Sequence, residues 1–95
     1  MTPERLLFSG HAVRRMFERG ISEGDVQLVV SAGETIADYA DDTPYPSRLI
    51  LGFVNGRPIH VVVADAGAQA ACVVITAYIP EEDQWSPDYR KRRVE

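Results

Sequence analysis

An α+β fold, with two short N-terminal helices packed on a small antiparallel sheet of three to four strands, is what this chain predicts, and three observations predict it. Between Ser9 and Gly33 apolar residues recur at helical spacing, in two segments that each follow a serine and stop at a glycine. From Glu34 onward the pattern changes to the two-residue alternation of strands. Asn55-Gly56, a pair suited to a two-residue hairpin turn, stands between two such runs. Ninety-five residues supply apolar surface for one core, so a single domain over residues 1–95 is expected, with residues 81–95 as its tail.

Ser9 is placed to cap the first helix and Gly20 to stop it. Val13, Met16 and Phe17 fall on one side and are predicted to face the core, while His11, Arg15 and Glu18 share a polar side. Ser22 and Asp25 have the spacing of a capping box, and Val26, Leu28, Val29 and Val30 supply the second helix with apolar contacts before Gly33. Residues 34–41 read as a strand that leads into a turn containing Pro44 and Pro46. Residues 48–54 and 58–64 flank Asn55-Gly56 as a hairpin, and residues 71–79 form the last strand, ended by Pro80. Ser86-Pro87 argues against a long helix in the tail, whose close is the basic run Arg90-Lys-Arg-Arg93.

Alternation along the strands predicts which side chains share a face. Three apolar sets, Leu49/Leu51/Phe53, Ile59/Val61/Val63 and Val73/Ile75/Ala77/Ile79, are expected beneath the helices. His60, Thr76, Tyr78 and Arg48 are then left on the opposite face, a half-polar surface that the tail can close.

Hydrophobic residues at 45% and charged residues at 25% are ordinary globular values. One cysteine, Cys72, excludes a disulfide within the chain and fits a reducing compartment. The N-terminus lacks the pattern of a signal peptide and no run approaches the roughly 20 apolar residues of a membrane helix, so a cytoplasmic location is expected. A net charge of −4 counts against a surface that grips nucleic acid everywhere. Positive charge is nevertheless concentrated at Arg14, Arg15 and Arg19 and again at residues 90–93. The histidines lack metal-ligand spacing, and no phosphate loop or dinucleotide fingerprint occurs, so neither a metal nor a cofactor is expected.

Chemistry concentrates in the only two histidines, His11 and His60. Imidazole titrates near neutrality, so two of them beside arginines make a candidate acid/base site with an anion clamp. Each residue also has an ordinary reading. His11 can bond to the preceding loop, His60 can be a satisfied strand histidine, the helix arginines can be a solvated face, and Trp85 can anchor the tail on the core.

Ser9-x-His11-Ala-x-x-Arg15-Met-x-Glu18-Arg19-Gly20-Ile21-Ser22, Tyr45-Pro-Ser, Arg57-Pro-Ile-His60-Val-Val-Val, Ile75-Thr-Ala-Tyr-Ile-Pro80 and Trp85 together resemble the small bacterial family called domain of unknown function 4258. That family looks like a relative of the RelE/ParE and MqsR-like toxin fold. The resemblance implies a toxin-like protein of a toxin–antitoxin pair, a metal-independent endonuclease of messenger RNA, partnered by a small antitoxin and acting on mRNA or at the ribosome. Under that reading the ribose 2′-hydroxyl attacks the neighbouring phosphate. His11 and His60 would act as base and acid in some order, Arg15 would clamp phosphate and Tyr78 would orient it. Arg14, Arg48, Arg90 and Arg92 would hold the RNA backbone. Three rivals stand beside it: a non-catalytic module whose open sheet face binds another protein, a structural homodimer that buries the half-apolar sheet face, and a family member that keeps the fold without the activity.

Overall fold

The computed structural model describes residues 5–43, 45–65 and 71–93. Its elements are β1 (Arg5–Phe8), α1 (Gly10–Arg19), α2 (Glu23–Ala32), β2 (Glu34–Tyr39), β3 (Ser47–Val54), β4 (Arg57–Asp65) and β5 (Ala71–Tyr78). The strands form one five-stranded sheet in the order β1-β5-β4-β3-β2. β1 runs parallel to β5, and the other neighbouring pairs are antiparallel. A mixed sheet of five strands therefore replaces the expected antiparallel sheet of three to four. The added strand, Arg-Leu-Leu-Phe, is too short to show alternation. It is a strand because β5, reached only after both helices and the hairpin, offers it a free edge, and Leu6 and Phe8 then pack against the core.

Both helices begin as their sequences predict. The Ser9 hydroxyl accepts a hydrogen bond from the Ala12 amide at 3.0 Å, and in α2 Ser22 and Asp25 exchange reciprocal bonds of 3.0 Å. Ser9 also fastens α1 to the sheet. Its amide donates to the Val74 carbonyl at 3.1 Å and its hydroxyl to the Ile75 carbonyl at 3.0 Å. The register of β4 against β5 shifts there, from Val62↔Thr76 to Val63↔Val74, which leaves Ile75 as the extra residue of a bulge.

That bulge and the hairpin turn decide the faces of the sheet, and both correct the simple alternation. Asn55 and Gly56 adopt φ values of 54° and 80°, as a two-residue turn requires, and they pair Val54 with Arg57, Gly52 with Ile59 and Ile50 with Val61. Ile50, Gly52 and Val54 thus lie beneath the helices with Ile59 and Val61, whereas Leu49, Leu51 and Phe53 join His60 on the far face. Arg48, expected beside His60, pairs with Val63 and points to the helix side. In β5 the bulge splits the predicted apolar set, because Ala77 opposes Val61 but Val73 opposes Ala64.

The helix-side core is aliphatic, with Met16, Val26, Val29, Ile59, Val61 and Val74 among its buried members. α2 approaches β3 closely: a Cβ on Gly52 would lie 2.9 Å from Val29 Cγ2 and 3.1 Å from Val29 Cα. α1 rests mainly on β5 and buries only a narrow stripe, Ala12 and Met16. Val13 and Phe17, predicted to face the core, are instead 52% and 87% exposed.

A second core lies on the far face. Leu49, Leu51, His60 and Ala64 are buried there, as is Trp85, which comes from the segment after β5. That segment folds back on itself: Trp85 bridges Arg92, the Ser86 amide donates to the Lys91 carbonyl at 2.7 Å, and the Arg93 amide donates to the Gln84 carbonyl at 2.9 Å. The expected basic tail is, through residue 93, a structured cover.

Candidate functional site

The chemistry-bearing residues collect at two places on opposite sides of the sheet. The first is His60 in β4. Its cross-strand neighbour is Tyr78, and the Tyr78 hydroxyl stands 3.3 Å from His60 Nδ1. His60 Nε2 is 2.9 Å from the Tyr89 carbonyl, which can only accept, so Nε2 carries the proton and Nδ1 accepts from Tyr78. Tyr89 sits at φ 64°, a backbone conformation uncommon for a bulky residue, at the tip of the folded-back segment. Trp85 packs perpendicular to the imidazole with ring centres 4.4 Å apart, and Tyr78 meets it edge-on at 5.3 Å.

These contacts leave His60 with no accessible surface. Burial pushes its pKa below the usual 6.5, opposed by the hydrogen bond to the Tyr89 carbonyl. Burial likewise raises the Tyr78 hydroxyl above 10.0, helped by Tyr39 and opposed by Arg92. A neutral imidazole with both nitrogens bonded, walled by tryptophan, holds the cover on the sheet. It offers no open path to a substrate.

The arginines of this segment are engaged in the same assembly. Arg90 reaches Glu34 on β2 at 2.7 Å and Asp88 at 3.3 Å. The hydrogen bonds from Arg90 hold the Glu34 carboxyl below its usual pKa, and the Ser86 hydroxyl, with Arg90, does the same to Asp88. The Arg92 guanidinium lies 5.5 Å from the Trp85 ring centre.

The second place is the outer side of α1. At about 100° per residue, the buried Ala12 and Met16 leave two flanks. Val13 and Phe17 form one flank; His11, Arg15 and Glu18 form the other, with Arg14 on the crest between them. His11, Arg14 and Arg19 are exposed, and Arg15 is half-buried with its guanidinium 3.4 Å from Glu18. The expected pairing of His11 with His60 is therefore not formed: His60 meets Tyr78, and His11 shares a flank of α1 with Arg15 in a different layer. His60 faces the folded-back segment and His11 faces solvent from the helix layer. The predicted RNA-binding arginines fall at three places: Arg14 on α1, Arg90 and Arg92 in the cover, and Arg48 on the helix-side face of β3.

Arg48 lines a cleft of ≈ 410 Å³ with Asp38, Tyr45, Pro46, Ser47 and Asp65. The Ser47 hydroxyl donates to Asp42 at 2.6 Å close by. Among the described residues no three of the His, Cys, Asp and Glu side chains stand together as a metal site. No helix among them is long and apolar enough to cross a membrane.

Exposure of Phe17 is the feature that alternation and periodicity miss. Ala12, Val13, Met16 and Phe17 form two adjacent apolar rows, and sequence alone does not say that a helix seated over one strand covers only one of them.

Residues 8–79 match the model of the family described as "Domain of unknown function (DUF4258)", and the chain belongs to that family. No curated protein and no solved structure matches the chain. The relation to the RelE/ParE and MqsR-like toxin fold gains no support from the comparisons.

Proposed function

We propose that this member of the DUF4258 family is a protein-binding module whose contact surface is the outer side of α1. One observation carries the reading: Phe17, 87% exposed, stands with Val13 and beside Arg14 on a helix surface that nothing among the described residues covers, while His60 is sealed inside the second core. Large apolar side chains displayed beside polar ones characterise contact sites. A site needing two histidines within hydrogen-bond reach of one phosphate is not supported by the separation of His11 and His60 into different layers.

The toxin-like, RNA-cleaving reading keeps one favourable observation, the exposed His11 among Arg14, Arg15 and Arg19. Its acid/base chemistry would have to run on His11 alone.

A single culture experiment separates the two. The photo-crosslinking residue benzoylphenylalanine replaces Phe17 in the full chain, and total RNA is followed alongside the adducts. A protein adduct at position 17 with intact RNA is the expected outcome. RNA cleaved in cells making the wild-type chain, and spared in cells making His11→Ala, would overturn the module reading in favour of the nuclease.

A further inference from the structure

We infer that the partner of α1 is an acidic segment of a different polypeptide, one that presents apolar side chains at helical spacing to the Val13–Phe17 row and carboxylates to Arg14 and its neighbours. This inference rests on the module reading and names the chemistry of its partner. The apolar half comes from geometry. Val13 and Phe17 are four apart, so their side chains stand one above the other as a ridge, the form that packs into the groove of an apposed helix.

The charged half comes from complementarity. α1 carries Arg14, Arg15 and Arg19 against a single acid, Glu18, in a chain whose net charge is −4. Most arginines elsewhere are engaged, though not all by ion pairs: Arg57 pairs with Asp25 at 3.5 Å, Arg90 pairs with Glu34 and Asp88, Arg92 lies over the Trp85 ring and Arg93 donates to the Glu82 carbonyl. On α1, Arg15 has Glu18, but among the described residues Arg14 and Arg19 make no ion pair. Arg14, exposed beside the apolar row, is placed to receive a carboxylate as the row is covered.

Two other occupants fit less well. A second copy meeting the first through α1 would bring together two helices of like net charge, each with three arginines against one acid. A nucleic acid would be drawn by the arginines, and Phe17 could stack on a base, but Val13 has no stacking face and the molecule as a whole is negative.

The test uses the full chain and a small set of synthetic helical peptides with leucine and phenylalanine at three- and four-residue spacing and glutamate on the flanks. Each is compared with its glutamine-for-glutamate counterpart by fluorescence anisotropy, and with a single-stranded RNA oligonucleotide. The expected result is binding of acidic peptides, at least ten-fold weaker for the glutamine versions and weakened by salt. Phe17→Ala should lose a further ten-fold, and Arg14→Glu should remove the preference for glutamate; both positions are exposed, so folding is retained. Failure of every acidic peptide to bind, equal binding of the two versions, or equal binding by Phe17→Ala overturns the inference. Preferential binding of the RNA oligonucleotide, lost in Phe17→Ala, also overturns it. The failures are distinguishable: a protein adduct at position 17 without preference for acid leaves the module standing and removes only its acidic partner.

Discussion

Two aromatic residues on opposite sides of this sheet, Trp85 and Phe17, are placed to opposite effect. On the far side Trp85 is 5% exposed and closes over His60, and Tyr78 and Tyr89 complete the contact. On the helix side Phe17 is turned to solvent from a helix already anchored by Ala12 and Met16. The difference teaches where an interaction is already satisfied and where one is still available. The far face has partners within the chain for its histidine, its phenol and its arginine, and the described residues contain no buried side-chain polar atom without a hydrogen-bond partner. The α1 surface has an apolar row and two arginines without ion-pair partners among the described residues.

The contrast can be broken most directly at Trp85. Trp85→Ala removes the largest side chain of the cover and should cost about 3–5 kcal/mol in urea unfolding. A loss within the error of the measurement would show that the folded-back segment is not part of the core. His60→Ala comes next, at about 1–3 kcal/mol, because the Tyr89 carbonyl and the Tyr78 hydroxyl each lose a buried partner. A growth assay with His60→Ala thus reads folding as much as chemistry, and His11→Ala is the variant that tests catalysis.

The same histidine gives the far face a pH signature. Its folded pKa lies below 6.5 because the charged form is excluded from the core. Below about 6.5 the unfolded chain takes up a proton that the folded one refuses, so this contribution is complete above that pH and is lost as pH falls toward the folded value, at no more than about 1.4 kcal/mol per pH unit. Unfolding midpoints measured across this range should fall in the wild type and lose that component in His60→Ala. An unchanged slope in the variant would assign the acid sensitivity to other groups.

The smallest expected effect sharpens the comparison from the other side. Phe17→Ala should leave stability within about 0.5 kcal/mol, since the ring contributes little to the fold. A loss as large as that of Trp85→Ala would mean that the ring is structural after all and would withdraw the support for a contact surface.

Much of the local structure was legible in residues. Ser9 and Gly20 bracket α1, Ser22 and Asp25 open α2, and Asn55-Gly56 makes the hairpin, because caps and tight turns are set by side-chain and backbone chemistry within a few positions. Trp85 as an anchor of the tail, and the tail as a cover for the face with His60 and Tyr78, were within reach of the same reasoning. The misplaced residues share a cause. Leu49, Leu51 and Arg48 changed faces through the register set across the hairpin, and Val73 through a bulge at Ile75, where a slip of one residue inverts every side chain beyond it. Val13 and Phe17 changed sides because the width of the buried stripe depends on what lies beneath the helix.

By itself, then, the sequence determined an α+β chain of two capped helices, a hairpin and a tail with a tryptophan anchor, together with membership of the family whose model covers residues 8–79. Only the tertiary structure decided that Arg5–Phe8 is a fifth strand parallel to β5, that His60 is enclosed while His11 is open, and that Phe17 faces solvent. Capping and turn preferences act over three or four residues and are written locally. Strand pairing, burial and exposure depend on which distant segments arrive at the same surface, and that is settled only when the whole chain closes on itself.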